Sequence, residues 1–157
     1  MTGTLVAWTT EEATEPSSMP ASGLKYQSSA MPIARYTHAS GYLAFRSNDD
    51  STALPSLNRA ASLYLAIEGE GSLLRARVFD TLGMLLTRRG DLEGAHGYFS
   101  LSVKIKLADP DRTDLAALAL TYGNLGRLEL LRERFRDAEG WLRKDLKLVL
   151  ASSHTPA

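Results

Sequence analysis

Residues Thr121–Leu131 read TYGNLGRLELL, and the spacing of this stretch decides the kind of fold the chain adopts. Tyr122, Leu125 and Leu128 step by three, Gly126 follows a leucine, and no proline interrupts, which is the grammar of a helix interior. The same grammar recurs upstream in VFDTLGMLL, where Phe79, Leu82, Gly83, Leu85 and Leu86 hold the matching places. A weaker copy, YTHASGYLAF, carries Gly41 and Leu43.

The copies keep one pitch. Gly41, Gly83 and Gly126 are spaced by 42 and then 43 residues, and so are Ala53, Ala95 and Ala138. Leu57, Phe99 and Leu142 repeat the two intervals, as do Ala34, Ala76 and Ala119 at the head of each unit. Four columns sharing one phase indicate a repeat protein rather than one irregular bundle. The extra residue of the second interval falls in Ala108–Asp114, a loop, where insertion costs least.

Each unit reads as helix A, a short turn and helix B. The expected pairs are 34–47 with 52–66, 73–88 with 92–106, and 115–131 with 135–150. In the second unit Gly90 is placed to close helix A and Asp91 to cap helix B. Pro110 stops the preceding helix and Asp111 or Thr113 caps the next, while the third unit turns at Arg132–Arg134 without a glycine. In the first unit Asn48-Asp49-Asp50 forms the turn, Thr52 caps helix B, and Pro55 falls in its tolerant first turn. A glycine on helix A facing an alanine on helix B lets the two backbones approach closely, with Phe79, Leu82 and Phe99, or Tyr122, Leu125 and Leu142, filling the flanks. Neither helix of a pair can cover its apolar stripe alone, so stacked pairs share a continuous core. The fold class expected is all-α, an α–α superhelix of three antiparallel helix pairs over residues 33–151.

The 157 residues suffice for one domain with a core, and 44% hydrophobic with 23% charged content is ordinary for a soluble domain. A formal net charge of +0 gives no global attraction to nucleic acid or anionic membrane. The absence of cysteine excludes disulfides, thiolate metal sites and a cysteine nucleophile. No run is long enough for a spanning helix, and Leu5–Trp8 is too short for a signal-peptide core, so a cytoplasmic location is expected. Residues 1–32 are rich in Ser, Thr, Pro, Glu and Gly, with Trp8 and Tyr26 isolated, and read as a disordered leader. Its serines Ser17, Ser18, Ser28 and Ser29 are modification candidates by composition only. Residues 152–157 read as a polar tail.

The columns resemble the tetratricopeptide repeat: glycine and alanine twelve apart, a large residue four before the glycine, a leucine just before it, and an aromatic or leucine four after the alanine. The second unit carries Phe79, Leu82, Gly83, Gly90, Ala95, Tyr98 and Phe99 on family positions, and the third carries Tyr122, Leu125, Gly126, Ala138, Trp141 and Leu142. The first keeps Ala34, Gly41, Ala53 and Leu57 but has Thr37 and Ser40 where large residues are expected. The usual repeat is about 34 residues; the longer pitch and the string YGNLG are similar to the long-helix subclass of kinesin light chains, G-protein signalling modulators and many bacterial regulatory and scaffold proteins.

The resemblance implies a protein-interaction module whose A helices line a concave groove for a peptide or partner helix. Periodicity points Arg77, Asp80, Met84, Thr87 and Arg88 into that groove from the second unit. Leu120, Gly123, Asn124, Arg127 and Leu131 follow from the third, and His38, Tyr42 and Phe45 from the first. In the long-repeat subclass an asparagine just before the L-G pair bonds a ligand backbone, and here Asn124 stands there, with Thr81 and Ala39 in the equivalent places. Arg127 falls where a carboxylate clamp keeps a basic residue, but Gly123, Met84 and Tyr42 replace the clamp's other members. Arg77, Arg88 and Arg127 beside Tyr42, Met84 and Leu131 suit an acidic, amphipathic partner, and a merely solvated face stays open beside that reading. The alternative function is a sensor or regulatory segment of a larger signalling or transcription-regulating protein.

Other chemistry is poorly supported. His38, His96 and His154 lack a second ligand at helical spacing, so no metal or cofactor is expected. No P-loop, dinucleotide fingerprint or G-x-S-x-G occurs, and an enzyme is not expected. Arg127, Arg132, Arg134 and Arg136 crowd one turn, but Glu129, Glu133 and Asp137 interleave with them and make a salt-laced turn, not a nucleic-acid patch. Asp145 replaces the Ala60 and Ser102 of earlier units, suiting an end that faces water, while Trp141, Leu146 and Val149 leave that end partly apolar. A fragment of a longer array and self-association through this end are both compatible with that pattern.

Overall fold

The structure, a computed structural model, describes residues 21–153. Six helices follow one another: α1 (Ala21–Arg46), α2 (Asp50–Glu68), α3 (Leu73–Arg89), α4 (Leu92–Ala108), α5 (Leu115–Leu131) and α6 (Phe135–Ser153). They pack as the pairs α1–α2, α3–α4 and α5–α6, and each second helix also meets the first helix of the next pair. First helices touch one another along the series (α1–α3 and α3–α5), whereas α2–α4 and α4–α6 do not meet among the described residues. The odd helices therefore form the inner wall of a curved stack and the even helices its outer wall.

The repeat columns are the core. Ala34, Ala53, Ala76, Ala95 and Ala138 are fully buried and Ala119 nearly so, together with Leu57, Leu82, Leu85, Leu125 and Leu128. The role of the glycines differs from the alanine-facing contact expected. A Cβ on Gly83 would stand 2.7 Å from the Phe99 ring, one on Gly126 2.6 Å from Leu142, and one on Gly41 2.9 Å from Leu57. Each glycine is a seat for the large side chain sixteen residues on, and the alanines close the crossing beside it.

A further column sits at the turns. Asn48, Gly90 and Glu133, again 42 and 43 residues apart, all take left-handed backbone with φ of 59°, 81° and 60°. Gly90 adopts it without a Cβ penalty and closes α3 through its N–H to Leu86 and Thr87 carbonyls. Asparagine tolerates this region, but a glutamate does so at a cost of about 1–2 kcal/mol. Glu133→Gly is therefore expected to stabilise the fold by about 1 kcal/mol, less the backbone entropy that glycine loses on folding, measured as a rise in the denaturant midpoint at unchanged slope.

Several boundaries differ from expectation. α1 begins at Ala21 rather than Ile33, so residues 21–32 of the expected leader are helical and Pro32 lies inside the helix. Residues 1–20 with their serines, and His154, lie outside the described residues. Asp49, not Thr52, caps α2 by accepting from the Thr52 N–H, which makes Pro55 the sixth helical residue instead of a first-turn one. Asp114, not Asp111 or Thr113, caps α5 by accepting from Ala116 N–H. In each case the carboxylate nearest the first helical residue wins, because a cap must reach the N2 or N3 amide. Asp91 caps α4 as expected, accepting from Gly94 N–H.

Candidate functional site

The inner wall holds a hollow of about 260 Å³ to which all three odd helices contribute. Phe45 comes from α1, Met84, Thr87 and Arg88 from α3, and Asn124, Arg127, Leu128 and Leu131 from α5, with Phe99 of α4 at its base. Met84 and Arg127 are one repeat column, Arg88 and Leu131 another, so two successive units supply the same two positions to one hollow. Of the seven groove candidates, Met84, Arg88, Asn124, Arg127 and Leu131 are brought together here.

The polar members differ in what they already hold. Arg88 donates to the Phe45 carbonyl (2.9 Å) and Asn48 Oδ1 (2.7 Å), pairs with Asp50, and lies over the Phe45 ring at 4.5 Å. Its guanidinium is committed to the first turn and locks the second unit on the first. Arg127 is exposed and Asn124 half-buried, and among the described residues no hydrogen bond or ion pair engages either side chain. The hollow thus combines apolar walls (Phe45, Met84, Leu131) with an unengaged guanidinium and an unengaged amide. An amide can both donate to and accept from a ligand backbone, and a guanidinium can grip a carboxylate with two parallel bonds.

Asp80 is elsewhere. Its carboxylate turns toward the outer wall and receives Lys106 Nζ of α4 at 2.6 Å; the same ammonium donates to Thr121 Oγ1 (2.7 Å) and the Ala117 carbonyl (3.0 Å) of α5. Thr121 Oγ1 lies 2.9 Å from the other Asp80 oxygen. Asp80 is a structural ion-pair member joining α3, α4 and α5, not a groove residue. The repeat explains the position: Asp80 and Lys106 fall in the columns of His38 and Tyr64, which face each other across the first pair at 3.5 Å. Arg77 is exposed and lies near that pair, where its charge acts on His38. The periodicity missed Asp80's direction because a buried lysine on α4 gives no apolar signal to read.

Burial, with the Arg77 charge second, holds the His38 imidazole below its ordinary value of 6.5. The unfolded chain then takes up this proton at higher pH than the folded one, so stability is full above about pH 6.5 and falls as pH drops below it. Unfolding titrations between about pH 8 and pH 5 should show a loss in the native chain that His38→Phe flattens; an unchanged slope in the variant would assign the loss to other groups.

The arginine-rich turn is salt-laced as read from the sequence, with Glu129 a partner as expected and Glu93 of α4 joining it. Arg132, its side chain 6% exposed, donates to Glu129 Oε1 (2.8 Å) and pairs with Glu93, and Arg134 reaches Glu93 at 3.9 Å. Glu129 is itself buried and also meets His96 Nε2 at 3.5 Å. Of the structural repeat positions named above, Gly41, Ala53, Leu82, Gly83, Ala95, Phe99, Leu125, Gly126 and Ala138 are buried; Leu142 is 37% exposed. Among the described residues no helix is long and apolar enough to cross a membrane, and no acidic, histidine or cysteine cluster forms a metal cage.

No family model and no curated protein matches the sequence. Among solved structures the chain resembles BtubC (BKLC) from P. vanneervenii, with a TM-score of 0.74 at 20% identity. The match covers 80% of this chain and 50% of that one. With six helices packed in successive pairs and no strand among the described residues, the architecture is settled. The fold is a helical-repeat superhelix. This chain spans about half the length of BtubC, and at this identity the likeness concerns the fold.

Proposed function

We propose that the chain is a long-repeat, tetratricopeptide-like interaction module, not an enzyme, and that its inner wall takes an acidic, amphipathic peptide or partner helix. The observation that carries this reading is the hollow between the odd helices, where Asn124 and Arg127 stand unengaged beside Phe45, Met84 and Leu131. A partner carboxylate would pair with Arg127, its backbone would bond Asn124, and an apolar neighbour would fill the space against Met84 and Leu131. Arg88 and Asp80 support the wall without touching the partner.

Selection from a random peptide library against the full chain tests this. Enriched peptides should carry an acidic residue next to apolar ones. Arg127→Ala should weaken them by about tenfold or more, the scale of a lost charge-assisted hydrogen bond, and Asn124→Ala by somewhat less. Enriched peptides that bind both variants as tightly as the native chain, with helical circular dichroism intact, would place their site elsewhere.

A further inference from the structure

The formal net charge of +0 conceals a one-sided distribution. The only carboxylates on the three odd helices are Asp80 and Glu129, and both are taken by ion pairs, with Lys106 and Arg132. Arginines, by contrast, recur along the inner wall. Met84 and Arg88 line the hollow from α3, and a step of two turns back from Met84 brings Arg77 onto the same stripe, about 10 Å away. Arg35 is its counterpart on α1, one repeat earlier.

Both guanidiniums are exposed, and among the described residues no hydrogen bond or ion pair engages either. They flank one spot. Burial raises the Tyr64 hydroxyl above its ordinary value, and the Arg35 and Arg77 charges both act against that rise. Burial first and the Arg77 charge second lower His38, whose Nδ1 lies 3.5 Å from the same hydroxyl. Glu68 also acts on Tyr64, but it accepts from Ser72 Oγ at 2.5 Å and pairs with neither arginine among the described residues.

We propose that Arg35 and Arg77 form a second anion subsite, beside His38 and Tyr64, that takes a second carboxylate of the acidic peptide bound in the hollow. The subsite rests on the hollow being the peptide's primary site. Arg127 and Met84 share a column. The step from Arg127 to Arg77 is therefore about 10 Å along the helix axes and about 8–10 Å across one helix spacing, roughly 14 Å in all. Extended chain covers that in about four residues. The peptide thus carries an acid for Arg127, an apolar residue for the hollow, and a second acid about four positions from the first. Two long, unheld arginine side chains can close on that second carboxylate together.

Calorimetric titration of the full chain with a library-selected peptide, and with the same peptide whose second acid is replaced by its amide, tests this as a double-mutant cycle. Losing that acid should weaken binding to the native chain about fivefold, the scale of an exposed charge pair, and should change nothing on a chain carrying Arg35→Gln and Arg77→Gln. The His38 ring protons should shift with the two-acid peptide and stay in place with the one-acid peptide. Both arginines are exposed, so helical circular dichroism should match the native chain; if the double variant loses it, Arg77→Gln alone takes its place. Selected peptides without a second acid, or equal losses on the native and variant chains, overturn the subsite; if Arg127→Ala still weakens binding, the hollow stands without it. Peptides indifferent to Arg127 as well overturn both.

Discussion

Asp80→Ala is expected to cost about 3–5 kcal/mol, because it leaves the Lys106 ammonium buried with no counter-charge. Lys106 is 3% exposed at its side chain and Asp80 18%, so water screens the pair little. The ammonium would keep Thr121 and the Ala117 carbonyl as neutral acceptors, too few to offset its desolvation. A domain holds only about 5–15 kcal/mol in all, so the midpoint of thermal unfolding should drop on the order of ten degrees. Lys106→Met removes the less screened partner and should cost less, since the remaining carboxylate reaches water on one side. The double change Asp80→Leu with Lys106→Met should recover most of the loss or exceed the native stability, as apolar replacement of a buried pair often does. A double variant no better than Asp80→Ala would mean that the three helices depend on the charges for register rather than on filling the space.

Gly83→Leu is the second large effect expected, a loss of about 3 kcal/mol or more through overpacking at the α3–α4 crossing. The first added carbon already meets the Phe99 ring at 2.7 Å, and that ring is 1% exposed. Gly83→Ala should cost about 1–3 kcal/mol, and Phe99→Leu in the same chain should return part of it, because the two changes share one space. Gly126→Ala makes a contact just as close, 2.6 Å, but against Leu142, which is 37% exposed and can swing outward. The order of cost is therefore Gly83 above Gly126, measured by denaturant unfolding. Equal costs would show that the last pair is packed as tightly as the middle one.

Much of this architecture was legible because the physics that builds it is local and repetitive. Glycine at 41, 83 and 126 is required by one close contact made three times, so a steric rule leaves a periodic trace in the sequence. Gly90 announced a left-handed turn, while Asn48 and Glu133 take the same backbone without the residue that signals it. The start of α1 was obscured because Pro32 and the serines around it suggest a break; a proline removes one hydrogen bond and need not end a helix whose other face is packed. At the candidate site, spacing set Met84, Asn124, Arg127 and Leu131 on one side of their helices, and these four line one hollow, since direction along a helix follows from its period. Spacing could not tell which polar groups were already taken. Arg88 is held by Phe45 and Asn48, about 40 residues away in sequence, and Asp80 by Lys106 on another helix. Such partnerships depend on how units stack, and they separate the polar groups a wall already uses from those it leaves unengaged.

The polar columns vary where the apolar ones do not. The place filled by His38 and Tyr64 in the first pair holds Asp80 and Lys106 in the second, and Gly123 and Val149 stand in the same columns of the third. One pair of columns therefore accommodates a hydrogen-bonded pair, an ion pair or a glycine with a valine. The apolar columns set the pitch of the stack, and these positions tune how firmly each unit is joined to the next.

If the odd helices form the binding wall, amide chemical-shift mapping during titration with a library-selected peptide should show it. Shifts are expected at Met84, Thr87, Asn124, Arg127 and Leu131 and none along the exposed outer side of α4, at Leu101, Lys104 and Leu107. Shifts confined to α4 and α6, with the inner wall silent, would contradict it.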